Sequence, residues 1–117
     1  MSYKGALAAV CVLVGYAAAA QEASFSGGDG SSCERAVVPL VTDGMALVQA
    51  ERDWLRKTFG GGALVRQALG ASADGRRRYD LILWRKPDGQ AVDVCFDVTT
   101  VFEETIRRVE EQEKAGK

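Results

Sequence analysis

Residues 79–98 read YDLILWRKPDGQAVDVCFDV and predict two β-strands joined at Asp88-Gly89. An Asp-Gly pair between alternating apolar residues is a strong hairpin signal, because both central positions of a type I′ turn require positive φ. A two-residue loop fixes the register, and a slip of one residue would mix the two faces of the strands. The predicted cross-strand pairs are Leu83–Val94, Leu81–Phe96 and Tyr79–Val98 on an apolar face, and Trp84–Asp93, Ile82–Cys95 and Asp80–Asp97 on a second face.

A third strand is predicted at residues 63–69, ahead of another Asp-Gly turn signal. A three-residue loop would place Val65 opposite Leu83, whereas a two-residue loop would place Arg66 there. Burial of the apolar Val65 favours the three-residue loop. The three strands then form an antiparallel meander with one apolar face, and such a face must be covered by another element.

Two amphipathic helices flank these strands. Residues 43–59 carry apolar side chains at helical spacing, with Thr42 or Asp43 as the cap and a run of glycines at the end. Glu51 falls on the side expected to face solvent. Residues 101–113 carry a second stripe, with Thr100 as the predicted cap. The first stripe consists of Met45, Leu47, Val48, Trp54, Leu55 and Phe59, and the second of Phe102, Ile106 and Val109.

The predicted fold is therefore α+β, with an N-terminal helix packed on a three-stranded antiparallel β-meander, followed by a C-terminal helix. The chain has 117 residues, enough for one domain. Residues 1–20 read as a secretory signal peptide with a basic start, an apolar centre and three alanines before the cleavage point. The domain organisation that follows is a disordered lead-in at 21–32, a single α+β domain at 33–113 and a tail at 114–117.

The apolar run of the signal is shorter than the roughly 20 residues that a spanning helix requires. We therefore expect cleavage, no stable membrane anchor afterwards, and a periplasmic or secreted protein. Cleavage leaves Cys33 and Cys95, which predict a disulfide in an exported chain, with two buried free thiols as the alternative. The bond would draw residues 33–41 toward the sheet, either as a short helix ending before Pro39 or, as the valines favour, as an extended segment.

The composition limits the chemistry that this chain can perform. It contains no histidine, which removes the commonest general base and excludes Ser-His and Cys-His nucleophile systems. Two cysteines without histidine do not form a zinc site, so neither a metal nor a cofactor is predicted. The 15 basic and 16 acidic residues give a net charge of −1, which is no basic footprint for nucleic acid.

The second face of the predicted hairpin supplies the candidate functional residues. Asp80, Asp93 and Asp97 share that face, with Arg66 nearby and Trp84 as an aromatic anchor. We expect a non-enzymatic protein-binding module of the cell envelope, such as an inhibitor or immunity protein that acts by stoichiometric contact with a protein partner. Two alternatives stay open. One is a small-molecule or cation binder, or an enzyme, that uses the three carboxylates, and the other is a structural homodimer through the sheet edges.

Overall fold

The computed structural model describes residues 23–116, so the predicted signal peptide lies outside the described residues. The predicted meander and both predicted helices are present, together with two further strands and a short 3₁₀ turn. In chain order the elements are β1 (Phe25–Gly27), the 3₁₀ turn (Cys33–Arg35), β2 (Val37–Pro39), α1 (Gly44–Phe59), β3 (Ala63–Ala71), β4 (Arg78–Arg85), β5 (Ala91–Asp97) and α2 (Thr99–Ala115).

The centre of the domain is a five-stranded sheet in the order β1-β2-β5-β4-β3. The sheet is mixed, because β2 runs parallel to β5 while the other neighbouring strands are antiparallel. The predicted architecture, a three-stranded meander with a helix as its first element, is therefore wrong. Two strands precede α1, and β2 adds to the edge of β5 that the prediction left free. The predicted C-terminal helix is present as α2.

The additional strands are short, and they are held by backbone pairing and by packing of Val37 in the core. β1 lies within residues 21–32, for which the sequence predicts disorder. The Gly28 N–H donates to the Ala36 carbonyl and the Leu40 N–H donates to the Ser24 carbonyl, both at 2.9 Å. A three-residue strand forms because a neighbouring strand pairs with it, and it is too short to show an alternating apolar pattern. The polar composition of residues 21–32 therefore did not indicate β1. Residues 33–41 combine the two predicted alternatives, because a 3₁₀ turn at the start is followed by the extended β2.

β4 and β5 pair one residue away from the predicted register. The loop that joins them consists of Pro87, Asp88 and Gly89, and the Gly89 N–H donates to the Lys86 carbonyl at 2.9 Å. Proline favours the second position of a type I turn, and Gly89 follows with a φ of +91°. The proline therefore selects a three-residue loop over the two-residue turn. The observed pairs are Tyr79–Asp97, Asp80–Phe96, Leu81–Cys95, Ile82–Val94, Leu83–Asp93, Trp84–Val92 and Arg85–Ala91.

β3 and β4 also depart from the predicted pairing. Arg66 rather than Val65 lies opposite Leu83, and Val65 is the extra residue of a β-bulge between Leu64 and Arg66. Val65 is 42% exposed, so the burial that favoured the other register is not realised. The bulge absorbs one residue, which lets Leu64 pair with Trp84 while the rest of the strand keeps the shifted register.

α1 covers one side of the sheet, which we call the inner face, and the helix begins and ends as predicted. Asp43 caps it by accepting a hydrogen bond from the Ala46 N–H at 2.9 Å, and Gly60 ends it with a φ of +76°. The prediction that Leu81 and Leu83 lie beneath this helix is wrong. The core between α1 and the sheet consists of Val37, Leu55, Ile82, Trp84, Val94, Phe96 and Val98.

The helix also presents a different stripe from the predicted one. Leu55 is fully buried and Trp54 contacts Phe96 edge-on at 5.5 Å between ring centroids. Met45 and Val48, in contrast, are 75% and 45% exposed. Glu51, expected to face solvent, is buried against the sheet. The apolar pattern alone therefore located the helix but misjudged its rotation about its axis.

α2 begins directly after β5. The Asp97 carboxylate accepts hydrogen bonds from the Thr99 N–H at 3.0 Å and the Thr99 hydroxyl at 2.6 Å, so Asp97 rather than Thr100 serves the first turn. The helix buries only Thr99 and Val101, and its apolar stripe stays 37% to 48% exposed. Neither α1 nor α2, the helices of the described part of the chain, is long and apolar enough to cross a membrane.

Candidate functional site

The sheet separates the five residues predicted to form one partner-binding face. Trp84 and Asp80 are only 1% and 2% exposed and lie on the inner face. Arg66, Asp93 and Asp97 lie on the opposite side, which we call the outer face. The three carboxylates therefore do not share a face, and no group of three or more His, Cys, Asp or Glu residues within residues 23–116 is arranged to hold a metal ion.

Trp84 is a core residue rather than a surface anchor. Its indole Nε1 donates to the Gly61 carbonyl at 3.1 Å, which satisfies the polar end of the ring inside the fold. Gly62 has a φ of +117°, and a Cβ there would lie 2.5 Å from the same nitrogen. The glycine run after α1 thus ends the helix and also leaves room for the indole.

A pair of acidic side chains is buried between α1 and β4. Glu51 is 1% exposed and lies beside Asp80, and Asp80 accepts a hydrogen bond from the Gln67 amide at 2.6 Å. Arg52 donates to Gln67 at 3.4 Å, which places a cation at the rim of the pair. Among the described residues no donor reaches either oxygen of Glu51 or the second oxygen of Asp80. Two ionised carboxylates in this position would repel each other at a high cost.

Protonation resolves this conflict. Burial is the main cause that raises the pKa of Glu51 to about 9, and the interaction with Asp80 is the second. Glu51 is therefore a neutral acid at pH 7, and its O–H can donate to Asp80. Because both side chains are almost completely covered, a substrate has no access to them. The pair therefore gives no support to an active site built on Asp80.

The outer face has an apolar centre between charged margins. Leu81 is 39% exposed at this centre, and Leu83 and Tyr79 beside it are half-buried. Arg66 and Asp93 lie on either side of Leu83, so opposite charges flank an apolar side chain. Three cross-strand rows run from β3 through β4 to β5: Arg66–Leu83–Asp93, Ala68–Leu81–Cys95 and Gly70–Tyr79–Asp97.

The predicted disulfide is confirmed and anchors the 3₁₀ turn on this outer face. Cys33 and Cys95 are bonded with a Cα–Cα distance of 5.3 Å. The Cys95 N–H donates to the Gly30 carbonyl at 2.9 Å, so the segment before the turn also pairs with β5. Gly30 has a φ of +78°, and a Cβ there would lie 2.7 Å from a Val94 methyl carbon. Only glycine therefore allows the segment to approach the strand this closely.

Two depressions border the anchored turn, and Cys33 lines both of them. At the larger one, of about 520 Å³, the Arg77 guanidinium lies 3.6 Å from the Asp97 carboxylate. The smaller one, of about 210 Å³, opens between the turn and the exposed Leu81. The larger depression includes Glu34, Arg35, Arg77, Tyr79, Asp97 and Thr100, and the smaller one includes Ser31, Ser32, Leu81 and Asp93.

Sequence reasoning missed the apolar centre of this surface and the buried acid pair. The one-residue register shift misplaced Leu81, expected beneath the helix, and Asp80, expected on the polar side. The helical pattern of α1 misplaced Glu51. Pro87, directly before Asp88-Gly89, was the available signal for a three-residue loop.

Comparison with known protein families, with curated proteins and with solved structures finds no match for this chain. Its function is therefore inferred from the geometry of the outer face and from the chemistry of the residues on it.

Proposed function

We propose that this protein is a small exported protein-binding module of the cell envelope, which acts through the outer face of its sheet. The observation that carries the proposal is Leu81, exposed at the centre of a sheet face with charged groups on both margins. Protein interfaces characteristically have an apolar centre that excludes water and a polar rim that selects the partner. The outer face has this composition on a rigid sheet.

The geometry supports recognition of a protein surface more than of a small molecule. The two depressions are open to solvent, and polar side chains such as Ser31 and Arg77 line them. A partner that inserts an apolar side chain beside Leu81 would bury that leucine. Acidic groups on the partner would then face Arg66, and basic groups would face Asp93.

The disulfide prepares this surface for binding. It fixes the turn that lines both depressions, and association therefore costs less ordering of the backbone than it would on a free loop. A disulfide also suits an oxidising compartment, in agreement with the predicted signal peptide. An inhibitor of an envelope enzyme or an immunity protein against an incoming toxin would use a preformed, non-enzymatic surface of this kind.

The proposal is tested by affinity capture with the exported, oxidised protein as bait in an envelope extract of the source organism. The disrupting variant is Leu81→Arg, which places a charge at the apolar centre. The matched control is Met45→Arg, the same substitution at a 75% exposed residue of α1. We expect wild type and control to retain one protein in near-equal amount, and the Leu81→Arg variant to lose it.

Binding of that protein after purification is then measured by titration calorimetry. A one-to-one complex that Leu81→Arg weakens by at least about tenfold, which is ~1.4 kcal/mol, supports the proposal. Retention of the same proteins by both variants, or a binding constant that Leu81→Arg leaves unchanged, would show that the outer face is not the interface. Circular dichroism confirms beforehand that both variants are folded.

A further inference from the structure

The sheet has one long edge that no other strand of the described chain covers. β3 spans nine residues, and all of them except Gly70 are exposed. At the other end of the sheet, β1 is a strand of only three residues, which offers little backbone for pairing. β5, an outer strand in the predicted meander, pairs with β2 instead. β3 is therefore the edge at which a strand of a second molecule can pair.

β3 carries few of the features that protect edge strands from pairing. It contains no proline, and Arg66 is its only charged residue. Its one irregularity is the bulge at Val65, which lies near the start of the strand and leaves the segment from Arg66 to Ala71 regular. Nothing in that segment prevents a second strand from forming hydrogen bonds along it.

We propose that two copies of this protein pair antiparallel through β3, with the two-fold axis at Ala68, and so form one continuous ten-stranded sheet. Two identical antiparallel strands related by this axis are complementary by symmetry. The axis places Ala68 opposite Ala68 of the second copy, Gln67 opposite Leu69, and Arg66 opposite Gly70.

The pattern of side chains favours a second copy as the occupant of this edge. In the proposed register the one charged residue of the strand, Arg66, meets Gly70 and not another arginine, so no like charges oppose each other. Gly70 has no side chain, and its row continues with Tyr79 and Asp97. Arg66 of one copy can therefore extend over that glycine toward an aromatic ring and a carboxylate of the other copy.

The inner side of the same edge supplies apolar surface. Leu69 is 78% exposed, the highest exposure of any large apolar residue on the sheet. It borders a depression of about 260 Å³ that Phe102 of α2 also lines. Across the proposed axis the two Leu69 side chains become diagonal neighbours, a spacing at which leucines approach each other. Pairing thus buries a residue that the monomer leaves in water.

The expected affinity follows from the size of the contact. The regular part of β3 is about 20 Å long at ~3.4 Å per residue, and a contact of this length falls among the small, transient interfaces. The dimer is therefore expected to form in the micromolar range rather than in the nanomolar range.

The test is sedimentation equilibrium of the exported, oxidised protein from about 1 to about 300 µM, a range that brackets micromolar dissociation. Ala68→Glu and Ala68→Lys each place like charges face to face at the axis, and we expect either variant alone to weaken the dimer by about tenfold or more. Ala91→Glu adds the same charge to an exposed residue of β5 and serves as the control.

An equimolar mixture of the Glu and Lys variants should regain the dimer, because opposite charges then meet at the axis. This rescue cannot come from unfolded variants and depends on Ala68 facing itself. A wild-type protein that remains monomeric over the whole range overturns the proposal. So does a dimer whose dissociation constant is the same with Glu or Lys at position 68. These measurements need no binding partner and are independent of the proposed function.

Discussion

Both faces of the sheet carry acidic side chains, but the inner face buries its acid and the outer face leaves its acids at the surface. On the inner face Asp80 is buried beneath α1 beside Glu51, and burial raises the pKa of Glu51. On the outer face Asp97 lies beside Arg77 and accepts two hydrogen bonds from Thr99, the first residue of α2. In the predicted register Asp80 and Asp97 were opposite each other. A shift of one residue in register decides whether a carboxyl group becomes a buried acid or part of a surface.

Adjacent residues of β4 provide the sharpest contrast between the faces. Trp84→Ala removes a buried indole and its hydrogen bond to Gly61, and we expect it to lower the free energy of unfolding by about 3–5 kcal/mol. Leu83→Ala, one residue away on the outer face, should cost about 1 kcal/mol. Urea denaturation followed by circular dichroism measures both. Equal losses would contradict the assignment of the two faces.

The buried acid pair predicts an unusual dependence of stability on pH. The pKa of Glu51 is raised in the folded state, so the folded protein binds a proton that the unfolded chain releases above about pH 4.5. This contribution to stability is complete below that pH and is lost as the pH rises toward about 9. The slope is at most ~1.4 kcal/mol per pH unit.

We expect urea denaturation of the wild type to show lower stability at about pH 8 than at about pH 6. The chain has no histidine to obscure this change. Glu51→Gln keeps a donor for Asp80 but cannot ionise, so its stability should be nearly constant over the same range. A wild-type profile as flat as that of Glu51→Gln would show that Glu51 is ionised in the folded protein.

The outer face predicts the smallest effects on stability. Asp97→Ala removes two hydrogen bonds from Thr99 at the start of α2 and should cost about 1 kcal/mol. Arg77→Ala removes an ion pair with Asp97 at 3.6 Å, and the Arg77 side chain is 61% exposed. We therefore expect a loss of a few tenths of a kcal/mol, which salt reduces. Thermal unfolding at low and high salt separates the two contributions. A larger loss for Arg77→Ala than for Asp97→Ala would refute this order.

Elements with a strong local signal were predictable from the sequence. Asp43 followed by a helical apolar pattern and a glycine run located α1, and two cysteines in a chain with a predicted export signal gave the disulfide. The hairpin around Asp88-Gly89 was also correctly located. These features depend on neighbouring residues or on simple chemistry, and tertiary contacts do not alter them.

The candidate site was less predictable because it depends on register and on elements distant in sequence. Pro87 shifted the β4–β5 pairing by one residue and exchanged the roles of Leu81 and Ile82. β2 joins β5 from more than 50 residues away, and its parallel pairing at Val37 has no local signature. The helical pattern alone assigns Glu51 to solvent. Predicting its burial requires knowing that Asp80 lies opposite it.

The disulfide has a consequence for where and when the protein can work. Cys33 lines both depressions of the outer face, and its bond to Cys95 holds the turn that shapes them. In a reducing compartment this bond does not form. A newly made chain would therefore carry the sheet without the finished surface, and it would become competent to bind only after oxidation. On the proposed function, export would then act as an activation step, which would protect the cell interior from premature capture of a partner.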